Sequence, residues 1–160
     1  MKSSIKIGDC FEIPLVDGRY AYGQYIFLDD RQPTGLGTLV QIFDVLSDRP
    51  LEHAELRRLV EHKRLMFPPV FIGLIPAIRT GRWKIIMHSS PSKFTFPKFR
   101  STLGTKPGIY HDWKIWDGKE TVFVGKLPPE YRSLELKMVW GAEGLEDRII
   151  EGKYRGNDML

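Results

Sequence analysis

From Ile5 onward the apolar residues fall on every second position. Ile5, Ile7, Phe11, Ile13 and Leu15 share one parity and alternate mostly with polar or small residues, the period of a strand with one buried face. Asp17-Gly18 follows, a dipeptide suited to the positive φ angles of a two-residue hairpin turn. The return stretch Arg19 to Leu28 is dense in Tyr, Ile and Phe, which fit a pleated surface. Gly23 inside it marks a bulge or a close backbone approach. Pro14 has no N–H to give a ladder and must face an edge or a bulge. A strongly twisted N-terminal hairpin over residues 5–28 is expected.

After a loop from Asp30 to Gly37, Thr38 to Leu46 reads as a third strand. Residues 50–64 switch to helical spacing. Pro50, Glu52 and Glu55 suit the start, Lys63 and Arg64 suit the end, and Leu56, Leu59 and Val60 make the buried stripe. Val70 to Ile78 and Arg82 to Met87 are predicted as strands around a Thr80-Gly81 turn. Residues 89–108, with Pro91, Pro97, Gly104 and Pro107, are predicted as an irregular loop, and loops of that length are often functional. Ile109 to Trp116 and Glu120 to Lys126 flank Asp117-Gly118 as a second hairpin. Leu134 to Trp140 is the last predicted strand, and a helix over Ala142 to Glu151 ends at Gly152, a residue suited to a left-handed cap. The predicted fold is α+β, mainly β. It is a strongly bent antiparallel sheet or a partly closed SH3-like barrel, with one sizeable helix and a short C-terminal helix.

Length and composition agree with that picture. The chain has 160 residues and 18.5 kDa, so one domain spanning 1–160 is expected. Its 42% hydrophobic and 28% charged residues exclude disorder and collagen-like structure. A single cysteine, Cys10, excludes an intramolecular disulfide framework and fits a cytoplasmic location. The longest uncharged run, Leu65 to Ile78, is broken by Pro68, Pro69, Gly73 and Pro76 and falls short of the ~18–20 apolar residues that span a membrane. No membrane partner is expected.

Charge changes the picture more. The formal balance is +4, yet residues 79–119 hold nine Lys/Arg against Asp112 and Asp117. A basic segment in a near-neutral frame points either to an anionic partner or to a solvated lysine-rich loop. Within residues 93–116, Lys93, Lys98, Arg100 and Lys114 interleave with Phe94, Phe96, Phe99, Tyr110, Trp113 and Trp116. Cations beside ring faces can stack bases and track phosphates on a single strand; the same residues can anchor a protein interface or clamp a long loop to the core. Trp113 and Trp116 stand three apart on one strand and point to opposite faces, so one of them is exposed unless another layer covers it.

Catalytic and metal signals are weak. None of His53, His62, His88 and His111 pair at the i, i+4 spacing of a zinc helix, and there is no CxxC. Gly35-Leu36-Gly37 leads into a strand and reads as a turn. Cys10 beside Phe11 fits a small core residue better than a nucleophile. For want of a nucleophile–base pair an uncharacterised hydrolase ranks last; no enzyme, no cofactor and no metal are expected.

Three segments carry a family resemblance: Lys6-Ile7-Gly8-Asp9-Cys10-Phe11-Glu12-Ile13-Pro14-Leu15 with Asp17-Gly18-Arg19-Tyr20-Ala21-Tyr22-Gly23-Gln24, then Gly81-Arg82-Trp83-Lys84, then Leu134-Glu135 through Trp140 to Ile149. Together they resemble the immunity protein 26 family over about residues 5–150, with Gly141-Ala142 departing from the acidic-proline step of that pattern. The resemblance implies an antitoxin-like protein of a bacterial polymorphic toxin system, which protects the producing cell by binding a toxin domain stoichiometrically. The alternative is a nucleic-acid-binding β-barrel module using residues 93–116. The candidate partner-binding residues are Lys93, Lys98, Arg100, Trp113 and Trp116. Inhibitors that plug a basic groove present acidic surface, so Asp44, Asp48, Glu52 and Glu55 form the alternative partner surface.

Overall fold

The computed structural model describes residues 4–62, 64–103 and 112–152. Lys63 at the expected helix end, Gly104 and Pro107 of the expected loop, and the expected strand start at Ile109 and Tyr110 lie outside these residues. The fold is α+β and mainly β, in two compact units. One comprises the residues up to Ser92 together with Val139–Glu151, the other Lys93–Met138.

The first unit is a six-stranded mixed sheet in the order β10-β4-β3-β2-β1-β5. β1 (Asp9–Pro14) and β2 (Tyr20–Asp29) form the expected hairpin, with Pro14 opposite Tyr20. Its turn differs from the expected two-residue form. Leu15 N–H donates to Arg19 O (2.8 Å), leaving Val16-Asp17-Gly18 as a three-residue loop. Gly18 takes the left-handed conformation such loops require (φ 88°). β3 (Gly37–Ile42) pairs with β2, and β4 (Val70–Ile72) pairs with β3. β5 (Lys84–His88) covers the other side of β1 with a register shift between Cys10 and Phe11.

Helix α1 (His53–His62) is shorter than the predicted 50–64. Glu55 reaches back to accept the N–H of Glu52 (3.2 Å), so the capping contact places the helix start after Glu52. The predicted strand Val70 to Ile78 breaks at Gly73 into α2 (Leu74–Arg79). Pro76 sits in the first turn, where N–H groups have no intrahelical partner, and Leu74 and Ala77, three apart, bury one face. Helix α3 (Ala142–Glu151) ends as predicted at Gly152 (φ 66°).

The second unit is a four-stranded mixed sheet, order β8-β7-β6-β9. β6 (Phe99–Ser101) lies inside the segment predicted as irregular, and three residues are too few to show alternation. β7 (Trp113–Trp116) and β8 (Thr121–Gly125) form the predicted hairpin around Gly118 (φ 95°). The predicted strand Leu134 to Trp140 is two short strands. β9 (Glu135–Leu136) runs parallel to β6, and β10 (Val139–Trp140) runs parallel to β4 in the other sheet. Because of these parallel pairs neither sheet is purely antiparallel, and neither closes into a barrel.

Candidate functional site

The basic aromatic segment builds the interior of the second unit. Trp113, Ile115 and Leu127 pack together with Val124, Tyr131, Leu134 and Leu136 on one face of the sheet. Trp116 points to the opposite face and is covered there. Phe96 meets it edge-on at 5.3 Å, Phe99 lies at 5.7 Å, and the Lys137 ammonium stands 4.6 Å from its ring. Both tryptophans are therefore only 2% exposed. Arg100 is fully buried, its Nε donating to Leu134 O (2.7 Å) and its guanidinium lying 5.3 Å from the Trp113 ring.

Three of the five candidate partner residues, Arg100, Trp113 and Trp116, thus hold the second sheet together and offer no ring face or guanidinium to a partner. A single-strand stacking platform needs exposed rings; of the segment's other aromatics Phe94 is 38% exposed, and Tyr110 lies outside the described residues. Lys93 and Lys98 are exposed, with the Lys98 ammonium 5.7 Å from the Tyr131 ring.

The acidic residues fare differently. Asp44, Asp48, Glu52 and Glu55 lie on one stretch between β3 and the first turn of α1. That stretch is tied down at several points. Tyr20 and Ser47 exchange backbone hydrogen bonds (2.8 and 2.9 Å), Asp44 N–H donates to Arg64 O (2.8 Å), and Leu51 N–H donates to the Tyr22 hydroxyl (2.7 Å). That hydroxyl in turn donates to Glu12 (2.9 Å). Glu55 accepts from Arg49 Nη1 and Nη2 (2.9 and 3.0 Å), and the Arg49 hydrogen bonds keep its carboxyl below the usual glutamate range. Asp44, Asp48 and Glu52 remain exposed. The segment presents three carboxylates on fixed backbone, while Glu55 is spent on the helix cap.

Two polar centres escaped sequence reasoning because their members are far apart in the chain. Glu146 on α3 accepts from Arg82 Nε and Nη2 (2.7 and 2.8 Å) and from Trp83 Nε1 (2.8 Å). Asp9 accepts from Lys6 N–H (3.0 Å) and pairs with His88 Nδ1 (2.9 Å), beside Gln24, which donates to Ser89 O (2.7 Å). The adjacency of Arg82 and Trp83 was the only local signal for the first; nothing local marked the second. Both pin elements of the first unit. Burial pushes the Cys10 thiol up to about 12, so it stays protonated and unreactive. Among the described residues no three His, Cys, Asp or Glu side chains are placed to hold a metal ion, and no helix is long and apolar enough to cross a membrane.

A model of the family described as Immunity protein 26 matches residues 6–110. The match covers the first hairpin, the acidic stretch and Lys93, Lys98 and Arg100, and stops before Trp113 and Trp116. No curated protein matches the chain, and no solved structure does.

Proposed function

The chain belongs to the immunity protein 26 family, and from that membership we propose that it neutralises a cognate toxin in the cytoplasm of the producing cell. It does so by occupying the toxin one-to-one, without turnover. Family membership is the observation that carries this reading.

The contact surface we assign to the toxin is the segment bearing Asp44, Asp48 and Glu52. These carboxylates are exposed on anchored backbone inside the matched region, whereas Arg100, Trp113 and Trp116 are interior. A fixed acidic surface fits a basic toxin groove and speeds association with it. The test is co-expression with a candidate cognate toxin domain. Cells survive with the wild-type chain, and the triple reversal Asp44→Lys, Asp48→Lys, Glu52→Lys lowers the association rate by about ten- to a hundredfold with the fold intact. Death of cells carrying the wild-type chain contradicts the function; unchanged association by the reversed variant contradicts the surface alone.

A further inference from the structure

The loop between β1 and β2 closes on itself. Leu15 N–H donates to Arg19 O (2.8 Å), and Gly18 N–H donates to Leu15 O (3.0 Å). The Asp17 carboxylate accepts the Arg19 N–H on one oxygen (3.0 Å) and Arg19 Nε and Nη2 on the other (2.9 and 2.6 Å). Leu15 is buried in the core of the first unit and anchors the loop from below. At the tip stands Val16, 92% exposed, the most exposed large apolar side chain among the described residues. A lone apolar side chain on a surface is ordinary; its mounting here is not. Hairpin loops favour Gly, Asn, Asp, Ser and Pro, a preference that Asp17 and Gly18 meet and Val16 does not. A β-branched side chain is stiff at χ1, so a partner that buries Val16 on this braced loop has little left to order.

The acidic stretch is fastened to the same hairpin. Tyr20, one residue past Arg19, exchanges backbone hydrogen bonds with Ser47 (2.8 and 2.9 Å), and Asp48 is close enough to act on the Arg19 charge. Pro14 is exposed and lies opposite Tyr20, which is half-buried, so the base of the hairpin end is apolar as well. One fixed support therefore carries an apolar knob and, beside it, exposed carboxylates. An interface hot spot has that layout: an apolar or aromatic anchor that loses its water on binding, ringed by polar contacts. We propose that Val16 is the apolar anchor of the toxin contact, a step that rests on the toxin reading above, and that it enters an apolar pocket of the toxin domain whose rim is basic. The carboxylates steer encounter and set the association rate. The desolvated anchor sets how long the complex lasts.

Two measurements on the full chain test this. Without a toxin, amide relaxation should give Val16, Asp17 and Gly18 order parameters of about 0.85, those of rigid backbone, and values below about 0.6 overturn the braced knob. With the toxin domain against which the wild-type chain protects, surface plasmon resonance should show Val16→Ala and Val16→Thr each speeding dissociation about tenfold, with association changed by less than about twofold. Val16→Thr keeps the shape and the branching but carries a hydroxyl into an apolar pocket, where it loses its water. Neither substitution should move the urea midpoint, because a side chain 92% exposed packs against little of the fold. Unchanged dissociation in both variants, from a toxin domain that the wild-type chain does bind, overturns the anchor and spares the toxin reading. A wild-type chain that binds no toxin domain overturns both.

Discussion

At residue scale the first unit depends on Trp83 and Glu146. The Trp83 ring is buried and stacks on Phe11 with centroids 5.4 Å apart and planes 6° from parallel; its Nε1 donates to Glu146. Trp83→Ala should cost about 3–5 kcal/mol, the range for truncating a buried aromatic. Trp140 is only half-buried, with the Arg148 guanidinium 5.3 Å from its ring, and Trp140→Ala should cost roughly half as much. Urea midpoints compare the two; equal losses contradict this ranking. Burial raises the Glu146 carboxyl, but hydrogen bonds from Arg82 and Trp83 outweigh that push and leave it below the ordinary 4.5. A depressed carboxyl contributes stability that is complete above that ordinary value and drains as pH falls through the lower folded one. Glu146→Gln should therefore remove about 1–3 kcal/mol at neutral pH, discounted because Arg82 stays partly in water. The variant should also show a flatter loss of stability in acid. Parallel acid-denaturation profiles for variant and wild type would disprove the assignment.

At the scale of elements, Gly23 shows how a hairpin is specified. It lies opposite Phe11 in the β1–β2 ladder, and a Cβ there would meet the Phe11 ring at 2.6 Å and Gln41 O at 2.8 Å. Gly23→Ala should destabilise by about 1–3 kcal/mol through overpacking, read as a lowered urea midpoint; a neutral result would mean the strands part easily. This close approach, the N-terminal hairpin, the first helix and the Gly152 cap were legible because period and turn chemistry are local. α2 was not, since Val70 to Ile78 is apolar throughout and such a run carries no period. Nor was the split of Leu134 to Trp140: its alternation suits a strand, but which sheet each half joins is decided by distant partners, β6 for Glu135–Leu136 and β4 for Val139–Trp140.

At the scale of the whole molecule, charge divides between the two units. Residues 93–138 hold nine Lys/Arg against five Asp/Glu, while residues 1–92 and 139–151 together hold thirteen against fourteen. The basic balance therefore belongs to the second unit, and the exposed carboxylates at Asp44, Asp48 and Glu52 belong to the first. The candidate site was legible only in part. Composition located the acidic and basic stretches, but a run of aromatics interleaved with cations looks the same whether its rings face solvent or each other. Trp113 and Trp116 turned inward because the two faces of one short sheet are each covered, by the packing around Leu127 and by Phe96. The central claim, neutralisation by occupancy, is tested most directly by titrating the purified chain into a fixed amount of the toxin domain and measuring residual toxin activity. The activity should fall linearly and vanish at one copy of this chain per toxin. Complete inhibition at a small fraction of that ratio would mean turnover, and undiminished activity at a large excess would mean no neutralisation; either contradicts the account.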